Sequence, residues 1–273
     1  MGRITTRRRI VRRTPEGHHT RQDTLVVEEP LQIRVDGAAL TVTMRTPGDD
    51  MDLVHGFLLA EGIVAEREHV HVMRYCAGAD DDGTNSYNVL DVQLGNGAAG
   101  VQRRRSFLTS SACGVCGTTS IDDVETVSAH PPAADPAAVD AAVIARLPGL
   151  LRTGQKVFAS TGGLHAAGLF GVDGTLLRLR EDVGRHNAVD KVLGAALREG
   201  KVPLSGRVLM LSGRASFELV QKAAMAGVPV VAAVSAPSSL AVDLAERAGI
   251  TLIGFVRDGG LNVYSRPDRV TGA

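Results

Sequence analysis

The sequence contains no tryptophan, and its aromatic content is only 3%. Few side chains can therefore serve as stacking platforms for bases. Charge of neither sign is in excess, because 30 basic residues balance 30 acidic ones. No global field directs the chain to nucleic acid, and none is expected as a partner. Cysteine is equally sparse, three in 273 residues. That is too few for a disulfide scaffold and suits a reducing compartment, so a cytoplasmic protein is expected. No run approaches the roughly 18 uninterrupted apolar residues of a membrane span, and the N-terminus lacks the apolar core of a secretory signal. What remains is 44% hydrophobic, enough for the core of one large soluble domain or two modest ones.

Two of the three cysteines, Cys113 and Cys116, stand at Cys-x-x-Cys spacing in SSACGVCGTTS, residues 110–120. The surrounding glycine, serine and threonine favour a solvated loop over a packed core. Such a pair can be a redox dithiol, half of a zinc site, or a sulfur carrier in which one thiolate holds a persulfide and the other assists. A zinc site would need further ligands from Cys76 or scattered histidines, and a thioredoxin-like motif would open a helix, which this composition does not favour.

The first residues carry Arg3, Arg7, Arg8, Arg9, Arg12 and Arg13 without an acid, and 1–22 reads as a disordered, solvated tail that could touch an acidic partner. Residues 23–130 are strand-rich. Alternating flanks around Asp36 and Gly37 predict a hairpin. Thr46, Pro47, Asp49, Asp50 and Asp52 predict an acidic helix start, with Gly56 and Gly62 as weak points. Asp135 and Pro136 suit a helix running to Leu147. From there, 131–273 alternates: a hairpin turning at Val172, Asp173 and Gly174, a helix with Val189, Val192, Leu193, Ala196 and Leu197 on one face, then strand, helix, strand, helix, strand. The last three strands are hydrophobic throughout and read as a parallel core.

Ligands of open α/β sheets bind outside the strands' carboxyl ends. Here those ends are Ser212, Gly213 and Arg214, then Ser235 and Ala236, then Arg257, Asp258, Gly259 and Gly260. In SGRASFELVQKA, Arg214 and Ser216 suit an anion at a helix start, although no Walker A or GxGxxG pattern is present. In LREDVGRHNAVDKVLG, His186, Asn187, Asp190 and Lys191 are candidates, the alternative being a helix start with solvated charges. His165 is either a site residue or a satisfied core histidine.

Taken together, the CGVCG loop, STGGLHAAGLF, EDVGRHNAVDKVLG, SGRASFELVQKA and GFVRDGGLNVYSRPDR resemble the formate dehydrogenase accessory sulfurtransferase family, FdhD. The resemblance implies an α/β fold: a cytidine-deaminase-like C-terminal domain with a mixed sheet flanked by helices, plus a smaller strand-rich N-terminal domain. It implies a sulfur carrier that moves sulfur as a cysteine persulfide from a cysteine desulfurase to the molybdenum cofactor of formate dehydrogenase. That cofactor, bis-molybdopterin guanine dinucleotide, would be bound as the sulfuration substrate, with no metal held directly by the protein. Cys113 would then be the persulfide bearer and Cys116 its assistant, and Cys76 has no matching role. The family's cofactor-binding stretch falls on Phe255, Val256, Arg257, Asp258, Gly259 and Gly260, which include the third strand end. Formate dehydrogenase, the desulfurase and a second copy of the chain are the implied partners. The alternative is a non-catalytic cofactor-binding chaperone with dispensable cysteines. Zinc deaminase chemistry is not expected, because neither helix start carries the H-x-E or P-C-x-x-C ligands it needs.

Overall fold

Alternation of apolar side chains decides where each strand of the second half sits. A computed structural model describes residues 4–76, 87–99, 127–257 and 259–272. Cys113, Cys116 and Asp258 therefore lie outside the described residues. Strands β1 (Thr5–Thr14) and β2 (Gly17–Val26) form a two-stranded ribbon. A second sheet is built from β3 (Glu29–Val35), β4 (Ala38–Arg45), β5 (Val70–Tyr75) and β6 (Val89–Leu94), in the order β4-β3-β6-β5. Helix α1 (Asp50–Ala60) follows β4.

After the short β7 (Val139–Asp140) come α2 (Ala141–Gly154), α3 (Lys156–Thr161) and the hairpin of β8 (His165–Gly171) with β9 (Leu176–Asp182). Next are α4 (Arg185–Arg198), β10 (Arg207–Leu211), α5 (Phe217–Met225), β11 (Val230–Ala233), α6 (Ser239–Ala248), β12 (Thr251–Arg257), β13 (Gly260–Val263) and β14 (Val270–Thr271). The main sheet is mixed, in the order β13-β12-β11-β10-β8-β9, with β10, β11 and β12 parallel as the hydrophobic runs predict and the outer strands antiparallel.

Successive side chains of a strand point to opposite faces, and here each face has its own core. Leu209, Leu211, Val231, Ala233 and Leu252 face the core shared with α1, α4, α5 and α6, whereas Val208, Met210, Val230, Ala232 and Ile253 face α2. The first core is continuous with Leu31, Ile33, Leu90 and Val92 of the smaller sheet, so hydrophobic packing runs across position 130.

Local signals succeed where the chemistry is local. Asp36 and Gly37 both take positive φ, 50° and 80°, the backbone that a two-residue hairpin turn demands. Gly249 closes α6 at φ 69°. Two expectations are corrected. Residues expected as a disordered tail pair in full antiparallel register from Thr5↔Val26 to Thr14↔Gly17. Thr5, Thr6, Ile10, Val11 and Thr14, residue types that favour strands, flank and interrupt the arginines, and Pro15 and Glu16 supply the turn. Helix α2 begins at Ala141 and runs past Leu147 to Gly154; its cap is Asp140, whose Oδ1 accepts from the Ala142 amide at 2.7 Å. Asp135 instead accepts from the amides of Ala137 and Gly206 and from Ser205 Oγ, holding the linker to the main sheet.

The far end of the chain is fastened by Arg269. Its guanidinium is buried and donates to the carbonyl oxygens of Pro132, Ala133, Asp135, Pro229 and Gly249. Among the described residues no carboxylate contacts it, and backbone dipoles solvate this cation.

Candidate functional site

The loops beyond the parallel strands continue the sheet's hydrogen bonding instead of splaying. Ser235 donates its amide to Gly213 O at 3.2 Å, Ala215 to Ala236 O at 3.2 Å and Ser238 to Ala215 O at 3.1 Å. Phe255 reaches back to Ser235 O at 3.3 Å. Ser212 Oγ accepts from the Ala166 amide at 2.8 Å, tying the end of β10 to β8. A rigid polar edge results, flanked by the starts of α4, α5 and α6.

The bulge in β12 falls at this edge. Its pairing with β13 shifts register between Gly254 and Arg257, and Phe255 sits there at φ 53°, which an aromatic residue seldom adopts. Gly254 makes the bulge possible, because a methyl group at that position would stand 2.9 Å from Pro237 Cδ. Phe255 is left 37% exposed, whereas Val256 is 1% exposed and belongs to the core. Arg257 is exposed at the strand end and pairs with Gly260, while Gly259 adopts φ 103° in the turn between them. Of the stretch expected to hold cofactor, Phe255 and Arg257 thus offer side chains, Gly259 and Gly260 offer backbone, and Val256 supports from beneath.

Glu181 and Asp182, at the end of β9, assemble much of the remainder. Glu181 accepts from the amides of Val157 at 2.9 Å and Phe158 at 2.7 Å, fixing the start of α3. Asp182, fully buried, accepts from Thr46 N, Gly184 N and Asn187 Nδ2, and its Oδ2 lies 2.7 Å from Lys191 Nζ. Lys191 also donates to Thr46 O, and Asn187 Nδ2 to Met44 O. Asp190 pairs with Lys222 of α5 at 2.8 Å. Burial pushes the Asp190 carboxyl upward against the pull of Lys222. Asn187, Asp190 and Lys191 are therefore not solvated charges; they lock α4 to α5 and to the end of β4.

His186 has a different setting. Its Nε2 lies 3.8 Å from Glu218 Oε2, beyond hydrogen-bond reach. Arg185 Nε, His186 Nε2 and Ser216 Oγ are buried, and among the described residues none makes a hydrogen bond of full geometry, although His186 and Ser216 both approach the Glu218 carboxylate. Burial would raise the Glu218 carboxyl, but the approach of His186 and Ser216 outweighs it and holds the group at about 2. Glu218 is therefore anionic at neutral pH. His165, half-buried beside Gly213, is lowered by burial and by the nearby Arg185 and His186. Buried polar atoms without a partner are rare in native proteins, and three at one sheet edge make it a candidate place for a polar ligand or water.

A cleft of about 510 Å³ opens beside this edge, lined by Arg152, Gln155, Phe158, His165, Val183 and Ser212, with Leu151 and Val234 behind. Arg152 lies over the Phe158 ring at 3.9 Å, giving one wall a flat cationic surface. Cavities of this size hold small organic ligands. Sequence reasoning missed Arg152, Gln155, Phe158 and Glu218. Glu218 reads as an ordinary first-turn acid, and the other three come together only where α2 meets α3. Among the described residues, no group of three His, Cys, Asp or Glu side chains is placed to hold a metal ion, and no helix is long and apolar enough to cross a membrane.

Comparison with known proteins places this geometry among relatives. The model of the FdhD/NarQ family matches residues 26–271. The sulfur carrier protein FdhD of Nocardia farcinica is 61% identical over 269 residues, covering 98% of this chain and 96% of its own. The protein of that name from Mycobacterium tuberculosis is 56% identical over 276 residues, covering 99% of this chain and 100% of its own. The crystal structure of a proposed formate dehydrogenase accessory protein from Desulfotalea psychrophila superposes with a TM-score of 0.74. It shares 23% identity and covers 98% of this chain and 100% of its own, which speaks for the common fold.

Proposed function

The chain belongs to the FdhD/NarQ family, and from that premise we propose that it is a sulfur carrier for formate dehydrogenase. It takes sulfur as a persulfide from a cysteine desulfurase and passes it to bis-molybdopterin guanine dinucleotide bound as substrate. The observation that carries the cofactor half of this reading is the trio of buried polar atoms without a fully formed hydrogen bond among the described residues, Arg185 Nε, His186 Nε2 and Ser216 Oγ, beside the bulge at Phe255 and a cleft of about 510 Å³. The name shared by the relatives supports the sulfur half.

In this reading Cys113, as thiolate, attacks the terminal sulfur of the donor persulfide. A new Cys113 persulfide forms and the donor leaves as thiolate. Cys116 then attacks the inner sulfur of Cys113, forming a disulfide and expelling hydrosulfide toward the metal of the substrate. The two electrons that reduce the sulfane sulfur come from the thiol pair. Arg257 pairs with phosphate or stacks on guanine, and the glycines at 259 and 260 let the backbone approach. The C-terminal part serves as a cytidine-deaminase-like scaffold whose helix starts, at Arg185 and Phe217, lack that enzyme's zinc ligands.

The test is intact-mass measurement after incubation with a cysteine desulfurase and cysteine, comparing the natural chain with Cys113→Ala and Cys116→Ala. A reductant-labile gain of one sulfur atom that vanishes in Cys113→Ala is expected. No gain in the natural chain would favour the non-catalytic chaperone.

A further inference from the structure

The ribbon of β1 and β2 has no part in the chemistry just described. Its register puts Arg7, Arg9, Val11 and Arg13 on one face together with Thr24, Gln22, Thr20 and His18. Arg8, Ile10 and Arg12 share the other face with Asp23, Arg21 and His19. The first face thus carries three guanidiniums and no carboxylate. Arg21 pairs with Asp23 at 3.3 Å, whereas Arg7, Arg8, Arg9, Arg12 and Arg13 have no partner among the described residues.

Three further features narrow what would cover this strip. A two-stranded ribbon leaves the outward amides and carbonyls of both strands unpaired, and alone it is only marginally stable. Val11 stands 59% exposed between the arginines, and Leu25 is 40% exposed near the base. That base is anchored next to the cleft: β2 packs on α3, and Val26 Cγ1 would lie 3.6 Å from a methyl group on Gly163. Whatever docks on the ribbon therefore stands beside the candidate site.

We propose that the ribbon is a docking strip for an extended acidic segment of a partner protein, which adds as a third strand. The arginines meet its carboxylates, the open edge meets its backbone, and Val11 meets its apolar side chains. A nucleic acid would answer the arginines alone. It has no use for alternating amides and carbonyls, and residues 4–26 offer no Phe, Tyr or Trp on which a base could stack.

The probe is a fluorescein-labelled peptide alternating glutamate and valine, titrated into the full chain and followed by anisotropy. Controls are the same peptide N-methylated at every second amide and a DNA duplex of similar charge. Binding of the unmethylated peptide is expected to weaken about tenfold in the combined Arg7→Gln, Arg9→Gln, Arg13→Gln variant. Val11→Ser alone is expected to weaken it about threefold. Neither variant should shift the melting temperature, because the ribbon lies outside both cores. Equal binding of the N-methylated peptide would overturn strand addition, and tighter binding of the duplex would make the strip a nucleic-acid surface. A natural chain whose sedimentation as a dimer is lost in the triple variant would assign the ribbon to a second copy and overturn the proposal.

Discussion

Gly194 of α4 crosses Gly56 of α1 so closely that a methyl group on Gly194 would stand 2.5 Å from the Gly56 amide nitrogen and collide with Asp52 O. A methyl group on Gly56 would strike the carbonyl of Asp190 in return. The two helices thus meet backbone to backbone. Around the crossing, Asp52 accepts from Arg180 at 2.7 Å and also from Arg198. Helix propensity alone favours alanine over glycine by about 1 kcal/mol. At this crossing the sign should reverse, with Gly56→Ala or Gly194→Ala destabilising by about 2–4 kcal/mol in urea unfolding. Gly149 of α2 meets nothing within 4 Å of the added methyl, so Gly149→Ala should be neutral or stabilising by up to about 1 kcal/mol. Similar losses at all three positions would contradict the packing.

Asp190 and Lys222 are a buried pair, and removing one member should be worse than removing both. Lys222→Met leaves a buried carboxylate unpaired and should cost about 3–5 kcal/mol, whereas Asp190→Leu with Lys222→Met together should cost clearly less. The measurement is a double-mutant cycle by equilibrium unfolding. Additive losses would show that the pair is not coupled.

Glu218 gives a pH signature. Its carboxyl is held at about 2 in the folded protein, below its value in an unfolded chain of about 4.3. A depressed carboxylate stabilises the fold fully above the unfolded value, and the gain is lost as pH falls through the folded one. Glu218→Gln should therefore reduce stability at pH 7 by at most roughly 2–3 kcal/mol, and the deficit should close between about pH 4.5 and pH 2. Parallel stability curves for the two proteins across that window would refute the assignment.

Arg257 should separate binding from sulfur loading. Arg257→Ala is expected to weaken GDP, used as a stand-in for the nucleotide end of the substrate, by about tenfold in calorimetry. Persulfide loading by a desulfurase should be unchanged. Unaltered GDP affinity would remove Arg257 from the site.

Legibility in the sequence followed the range of the interactions. The turn at Asp36 and Gly37, the helix stop at Gly249 and the two-sided apolar strands β10, β11 and β12 depend on neighbours a few residues away, and each was readable. The roles of Asn187 and Lys191 were not, since their partners are carbonyls of Met44 and Thr46, more than 140 residues earlier in the chain. Gly56 read as a helix weak point because only the approach of α4 gives it a purpose. The β1–β2 ribbon was misread for a related reason: an arginine-rich composition suggests a solvated tail, and what makes it a strand is its pairing with Gly17–Val26. At the site, the strand ends were foreseen from topology, whereas the wall formed by Arg152 and Phe158 needs two helices in place. Cys113, Cys116 and Asp258 lie outside the described residues.

The carbonyls gathered by Arg269 come from both sides of the main sheet's connections, at Pro132, Ala133, Asp135, Pro229 and Gly249. During synthesis, the linker around position 133 leaves the ribosome long before this guanidinium does. The clasp over that linker can therefore form only once residue 269 has emerged, whereas the core that runs across position 130 does not wait for it.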